Sequence, residues 1–374
     1  MSAFGRAPFD SAAASDAAYA SVRNKAFPQD IFRAPELRWA VIGCGVVANQ
    51  MAQTLALAGR HLSGVANRTY EKALAFAERY GVERVYRTFD DLYADPDVDA
   101  VYITTPHNTH IAFLRRALAA GKHVLCEKSI TLNAAELAEA RELAAAHGVV
   151  LMDATTILHM PLYTKLLDRA RAGEFGPLNL AQVNFGSYKE YGDLTNRFYN
   201  PQLAGGAMLD IGVYALSIAR LFMTSAPTEV VSLANRAQTG VDETSGFVCR
   251  NAEGQIGVFS LSLHSKQPKR AMLSFDRCYI EVDAYPRADR ALITWTDDGH
   301  REVVEVGEEG YALVYEVADL EAAVAGDEHA AGLIDIAADV MDLMTRLRYD
   351  WGVYYPEEAD VARAAGVAVA GEDR

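Results

Sequence analysis

From Arg38 to Gln50 the chain reads RWAVIGCGVVANQ, an apolar run that stops abruptly on two closely spaced glycines. Continuous apolar character over Trp39–Ile42 suits a parallel strand buried on both faces. From Val46 to Ala58 there is neither Pro nor Gly, so the residues after the glycines read as helix. The spacing Gly43-x-Gly45-x-x-Ala48 matches the dinucleotide fingerprint with alanine in its third place. There the first glycine permits the tight turn and the second lets a pyrophosphate approach the backbone. The third small residue lets helix and strand pack closely. Bare N–H groups where Val46 and Val47 open the helix would then face phosphate charge. A tight strand–helix joint with no ligand has the same spacing, so the turn alone decides nothing.

The rest of the first half repeats the strand–helix alternation. Strand-like runs at His61–Arg68, Arg84–Arg87, Asp99–Pro106, Lys122–Lys128 and Val149–Ala154 are separated by helical stretches at Tyr70–Tyr80, Ile111–Ala120 and Ala134–His147. That alternation predicts a doubly wound parallel sheet. The pattern then changes. A long alternating run at Leu178–Glu190 and a helix over Leu209–Met223 precede strand-like runs at Glu229–Gln238, Gly246–Arg250, Gln255–Leu263, Ala271–Phe275, Cys278–Val282 and Ala291–Thr296. Helices near Tyr311–Ala325 and Leu333–Leu347 close the chain. Consecutive alternating strands predict an α+β domain with a large, mostly antiparallel open sheet and helices on one face. The expected class is α/β, with a Rossmann domain over 38–155 and a substrate-binding and oligomerisation domain over 156–360. Residues 1–37 are expected to be a tail or an arm strapped over the body, and 361–374 a tail.

Composition narrows the function classes. With 374 residues, 51% of them hydrophobic and 23% charged, the chain can bury sizeable cores. A formal net charge of -15 argues against a nucleic-acid binder, which needs a basic face. The four cysteines, Cys44, Cys126, Cys249 and Cys278, show no paired spacing, which suits a reducing compartment and a cytoplasmic location. His107-x-x-His110 lacks the partners of a metal site, so none is expected. No apolar stretch reads as long enough to span a bilayer. The Ala- and Ser-rich start lacks a basic n-region and an unbroken apolar core, so it does not read as a secretion signal.

In a doubly wound sheet, ligands bind beyond the carboxyl ends of the strands. Three polar clusters fall there: the glycine turn, Thr104–His110, and Glu127-Lys128-Ser129. A fourth, GGAMLDIGVYAL at Gly205–Leu216, sets Asp210 and Tyr214 four apart, which a helix turns to one face. Together these clusters resemble the glucose–fructose oxidoreductase/inositol dehydrogenase (Gfo/Idh/MocA) family over roughly Arg38 to Pro356. The resemblance rests on the glycine turn, on TPHNTH for the usual T-P-N-x-x-H, on AGKHVLCEKS for the usual A-G-K-H-V-x-x-E-K-P, and on LAGGAMLDIGVYAL. The tyrosine-bearing D-I-G-V-Y form looks most like the dimeric dihydrodiol dehydrogenases and glucose–fructose oxidoreductase. The resemblance implies that Lys128 is the catalytic lysine, that Tyr214 donates or accepts the proton, and that Asp210 lies near the reacting hydroxyl. It also implies that Thr105, Pro106, Asn108, His110 and Glu127, with Thr104, line the cofactor. Ser129 departs from the family pattern, standing where proline is usual.

The same chemistry follows from the residues. Hydride transfer to a carbonyl creates negative charge on oxygen, which needs a proton donor and a cation. A lysine beside Tyr214 is expected to draw the phenol's pKa toward neutrality. Cofactor choice turns on the second strand's end, where Asn67 stands in place of the ribose-binding acid and Arg68 follows. That favours NADP over NAD, although Arg68 could instead stack on adenine and serve either. Arg197, Tyr188, Lys189 and Tyr191 are candidate substrate contacts. The expected function is NADP-dependent hydride transfer at a carbonyl or hydroxyl of a small sugar, polyol, aldehyde, ketone or diol, by a homodimer or homotetramer. Redox-assisted glycoside elimination with an internally recycled cofactor, and a cofactor-sensing regulator, are the alternatives.

Overall fold

A computed structural model describes residues 19–28 and 30–370. The elements of the first half are β1 (Trp39–Ile42), α1 (Val46–Leu57), β2 (Gly64–Ala66), α2 (Tyr70–Tyr80), β3 (Arg84–Tyr86), α3 (Phe89–Ala94), β4 (Ala100–Ile103), α4 (His110–Ala119), β5 (His123–Glu127), α5 (Ala134–His147) and β6 (Leu151–Ala154). All six strands are parallel, in the order β3-β2-β1-β4-β5-β6. Strand order reverses between β1 and β4, so a crevice opens at their carboxyl ends, where the glycine turn meets Thr104. The apolar runs form as predicted because β1 and β4 are buried on both faces.

Past β6 follow α6 (Pro161–Arg171), β7 (Leu178–Gly186), a π-helical turn (Met208–Gly212), α7 (Val213–Phe222), β8 (Glu229–Arg236), β9 (Asp242–Arg250), β10 (Ile256–Ser262), β11 (Gln267–Phe275), β12 (Cys278–Asp283), β13 (Arg290–Trp295), β14 (Arg301–Glu305), α8 (Ala312–Val324), α9 (Glu328–Asp350) and α10 (Ala359–Ala364). Eight strands form the second sheet, in the order β14-β13-β12-β11-β7-β10-β9-β8. It is antiparallel except where β10 runs parallel to β7. Four elements went unpredicted: α3, α6, β14 and α10. α6 is the most telling, since PLYTKLLDRAR mixes charge into every turn and hides its buried Leu162, Tyr163, Leu166 and Leu167.

Three sequence expectations need correction. First, the domains are not divided cleanly in sequence. Leu313, Val317 and Leu320 of α8 join the core that Trp39, Val41 and Met51 build around the first sheet. Second, 361–370 is no free tail, because Val369 and Ala370 are buried and the Ala370 amide donates to the Tyr354 carbonyl at 2.7 Å. Residues 371–374 lie outside the described residues. Third, Pro201–Phe222 is long and apolar enough to cross a membrane, yet most of it is buried inside the fold as a core element.

Of the segment expected to be a tail or an arm, residues 1–18 and 29 lie outside the described residues, and the rest makes contacts with the body. Val22 is buried, Lys25 pairs with Glu308 at 2.7 Å, and Arg33 pairs with Asp319 at 2.9 Å. Phe27 meets Tyr311 edge-on, and Arg60 caps the ring of Phe32.

Candidate active site

The glycine turn is built for a close approach. Gly43 has φ +102°, and a Cβ there would come within 2.6 Å of the Thr104 Oγ1. Gly45 is different: it has ordinary backbone angles, and a Cβ would meet nothing within 4 Å. Ala48 is wholly buried, as the third small position requires. Helix α1 opens with no side-chain cap and no acid in its first turn, so its first N–H groups stay available to an anion. A dinucleotide's pyrophosphate fits this cradle: there is room over Gly45, and Val46 and Val47 head the bare helix end.

At the end of β2, Asn67 turns its amide back to the Thr69 carbonyl at 2.9 Å, and Arg68 is exposed. Sequence reasoning missed Lys72, four residues on in α2, whose charge acts on the Cys44 thiol inside the glycine turn. Its signal was present in the sequence: a basic residue one helical turn after Arg68.

The chemistry-bearing side chains meet at the next strand ends. β5 delivers Lys128, whose ammonium donates to the Asp210 carbonyl at 2.7 Å and to Asp210 Oδ1 at 3.2 Å. The same nitrogen lies 5.0 Å from the centre of the Tyr214 ring. Arg197 reaches Asp210 Oδ1 at 3.4 Å. Asp210 belongs to the π-helical turn and Tyr214 to α7, so the simple helix expected over Leu209–Met223 is broken between them. A wider turn there aims the Asp210 carbonyl at Lys128 instead of down the helix.

Burial would raise the Asp210 carboxyl, but Lys128, Arg197 and Lys189 hold it well below the usual range. Burial disfavours the Lys128 ammonium, yet Asp210 and Tyr214 keep its pKa above the ordinary value. Tyr214 corrects an expectation. Its pKa is raised, because burial outweighs the downward pull of Lys128. The phenol is therefore held protonated at neutral pH.

Ser129 takes the place of proline after a cis Lys128–Ser129 peptide. It is fully buried, its hydroxyl donates to the Leu209 carbonyl at 2.8 Å, and its own carbonyl meets His110 Nδ1 at 3.0 Å. Those bonds tie the Lys128 backbone to the π-helical turn without a ring. His110 Nε2 meets the Thr105 carbonyl at 2.8 Å, so both ring nitrogens face backbone and neither remains for a cofactor. His110 is a brace beneath the site, contrary to its expected place in the lining. Asn108 donates from Nδ2 to Glu357 Oε1 at 2.7 Å and to the Gln202 carbonyl at 3.1 Å, while its buried Oδ1 has no hydrogen-bond partner among the described residues.

Thr104 donates from its hydroxyl to the Ile42 carbonyl at 3.1 Å and, with Thr105 and Pro106, forms the crevice edge. Glu127 accepts a very short hydrogen bond from the Tyr102 hydroxyl, and burial pushes its pKa up. His107 was missed: its charge state is set partly by Lys128, Arg197 and Asp210, and its buried Nδ1 has no hydrogen-bond partner among the described residues. Burial lowers its pKa to about 3, so it is neutral.

Of the candidate substrate contacts, Tyr188 is 53% exposed. Lys189 lies 4.0 Å from the centre of the Phe198 ring and is coupled to Asp210. Tyr191 is drawn elsewhere, stacked on His264 at 4.6 Å.

Comparisons with known proteins agree with this architecture. Residues 37–155 match the family described as Gfo/Idh/MocA oxidoreductases with an NAD-binding Rossmann fold, and residues 163–282 match the Gfo/Idh/MocA C-terminal domain. A trans-1,2-dihydrobenzene-1,2-diol dehydrogenase of Mus musculus is 32% identical over 244 residues, 64% of this chain and 72% of the relative. A D-xylose 1-dehydrogenase (NADP(+)) of Hypocrea jecorina is 32% identical over 260 residues, 61% of this chain and 66% of the relative. The structure of an aldose-aldose oxidoreductase from Caulobacter crescentus superposes with TM-score 0.73 at 24% identity, over 84% of this chain and 98% of that one. With family models matching both halves of the chain in order, the chain belongs to the Gfo/Idh/MocA oxidoreductase family.

Proposed function

We propose that the chain is an NADP-dependent oxidoreductase acting at a carbonyl or hydroxyl carbon of a sugar, polyol or diol, with Lys128 and Tyr214 as its catalytic pair. The observation that carries this reading is the convergence of Lys128, Asp210 and Tyr214 at the strand ends beside an open helix N-terminus. When bound, the cofactor supplies or accepts the hydride. The side chains do the rest. In reduction, Tyr214, kept protonated by burial, gives its proton to the oxygen on which negative charge develops. Lys128, charged and fixed by Asp210, stabilises that charge without reorganising. In oxidation the Tyr214 phenolate, whose share grows as pH rises toward its raised pKa, takes the proton of the substrate hydroxyl.

NADP is favoured by three features together: no acid at Asn67, an exposed Arg68, and Lys72 facing the same turn. The named NADP preference of the D-xylose relative points the same way. Self-association through the open face of the second sheet belongs to this reading. That face exposes Leu233 at 82% and Val231 at 78%, with Val248 and Ile256 on the next strands.

The test is a panel of aldoses, polyols, diols and diketones assayed by cofactor absorbance with NADP and with NAD. Turnover of at least one carbonyl or hydroxyl compound, faster with NADP, is the expected result. Substrate conversion with no net change in cofactor would instead favour internally recycled chemistry.

A further inference from the structure

Helix α8 carries a carboxyl that hydride transfer leaves unused. Glu316 lies in the middle of that helix, fully buried, and neither of its oxygens makes a hydrogen bond among the described residues. The Thr156 hydroxyl favours its charged form from outside hydrogen-bond geometry. A buried carboxylate without a donor is unfavourable, so such a group keeps its proton unless nearby charge compensates. The strongest charges acting on Glu316 are those of Glu127, His159 and Arg287. His159 is already engaged, its Nδ1 meeting Asp319 Oδ2 at 2.9 Å and its Nε2 the Asp153 carbonyl at 2.8 Å. Arg287 is divided, since it acts on Glu127 as well.

The fold brings the two glutamates together. α8 packs on β5 and on the turn at Thr156–Leu158, and Glu127 is the last residue of β5, next to Lys128. Glu127 is the better supplied of the two: it accepts from the Tyr102 hydroxyl and faces both Lys128 and Arg287. Burial first, and then Glu127, push the Glu316 carboxyl well above the usual range. Neighbouring buried carboxyls do not readily ionise together, and the one with a donor and a lysine keeps the charge.

The other elements around α8 add little to this balance. Tyr102 on β4 and Tyr214 on α7 both feel the Glu316 charge. Asp153 on β6 faces Glu127 and His159. On α1, Gln50, Gln53 and Thr54 line the cavity beside Ala312 and Leu313, and none of them titrates; the exposed Glu309 lines it too. α9 joins that core through Ala330.

We propose that Glu316 is a positioning residue of the catalytic pair: it shares one proton with Glu127, so that one negative charge and not two stands beside Lys128 and Tyr214 at neutral pH. The single charge on Glu127 helps hold the Lys128 ammonium, to which Asp210 and Tyr214 contribute more. A second charge, on Glu316, holds the Tyr214 phenol protonated further into alkali. The effect on catalysis rests on the oxidoreductase reading of Tyr214; the shared proton does not.

Infrared difference spectra of the NADP-saturated protein test the shared proton. At pH ~7 the parent should show the C=O stretch of a protonated carboxylic acid that Glu316→Gln lacks, and this band should fade as pH is raised. In Glu127→Gln the band should be weaker at pH ~7 than in the parent, because Glu316 is then relieved of its neighbour's charge. Oxidation of the fastest compound in the panel above tests the positioning role. The ratio of the Glu316→Gln rate to the parent rate should rise about three- to tenfold between pH ~7 and pH ~9, the scale of one unit charge removed from near Tyr214. Glu316→Asp, which keeps a carboxyl, should give a ratio flat with pH. No infrared difference at pH ~7, a band undiminished in Glu127→Gln, or a flat ratio for Glu316→Gln would each overturn the proposal. Should Glu316→Gln not fold, the fading of the parent band with pH and its weakening in Glu127→Gln still decide. The expected spectra with no hydride transfer to any panel compound would sink the oxidoreductase reading and leave the shared proton standing.

Discussion

Tyr214 illustrates why residue identity and spacing can predict a partner and still misjudge the chemistry. The sequence places a lysine and a tyrosine where they can meet, but the sign of the phenol's pKa shift depends on burial, which sequence does not display. Burial by Phe185 and the α7 packing outweighs Lys128, so the phenol titrates above its ordinary pKa near 10. The pH dependence follows. Reduction needs the protonated phenol and should stay flat from pH ~7 to ~9, below that raised pKa. Oxidation needs a proton acceptor and should rise through the same range. Opposite profiles for kcat/KM in the two directions would exclude Tyr214 as the titrating group.

Arg68 makes the second residue-scale prediction. Arg68→Ala should weaken NADP by about 1.5–3 kcal/mol, the worth of a charge-assisted bond, and hardly change NAD. Equal losses, measured by fluorescence titration, would mean adenine stacking instead. The role of His107 was not legible because it comes from three-dimensional neighbours, Lys128, Arg197 and Asp210, not from any motif.

At the scale of elements, the first sheet was legible because strands buried on both faces must be continuously apolar, and β1 and β4 are. Edges were less so: of the run at His61–Arg68 only Gly64–Ala66 forms β2, although Leu62 before it is also buried. The π-helical turn was hidden because four-residue spacing assumes a regular helix. The two glycines of the turn do separate jobs, and this can be measured. Gly43→Ala forces a side chain to φ +102° and into Thr104, which should cost about 1–3 kcal/mol in stability. Gly45→Ala has room and ordinary backbone angles, so its unfolding midpoint should hold while cofactor affinity falls. Thermal unfolding and cofactor titration of both variants decide it; a stable Gly43→Ala with normal affinity would contradict the account of the turn.

For the whole molecule, the two-domain plan was legible from the switch in strand–helix rhythm, but the interleaving was not. Helix α9 carries Arg348, buried in contact with Glu358 and with the Leu132 carbonyl at 2.6 Å, and so ties the chain's end to the first domain. Periodicity marks a buried stripe without saying which domain covers it. The open face of the second sheet predicts a dimer or larger assembly. Val231→Arg with Leu233→Arg should shift the mass in light scattering toward the monomer, and a monomeric parent protein at micromolar concentration would refute this. The central claim is that Tyr214 moves the proton while Lys128 holds the charge. Its most direct test is a single-turnover measurement of hydride transfer in Tyr214→Phe, which keeps the ring and removes only the hydroxyl. The account predicts unchanged cofactor affinity, transfer slowed by roughly 100- to 10,000-fold, and little further loss in the Lys128→Met double variant. Transfer at the parent rate in Tyr214→Phe would contradict it.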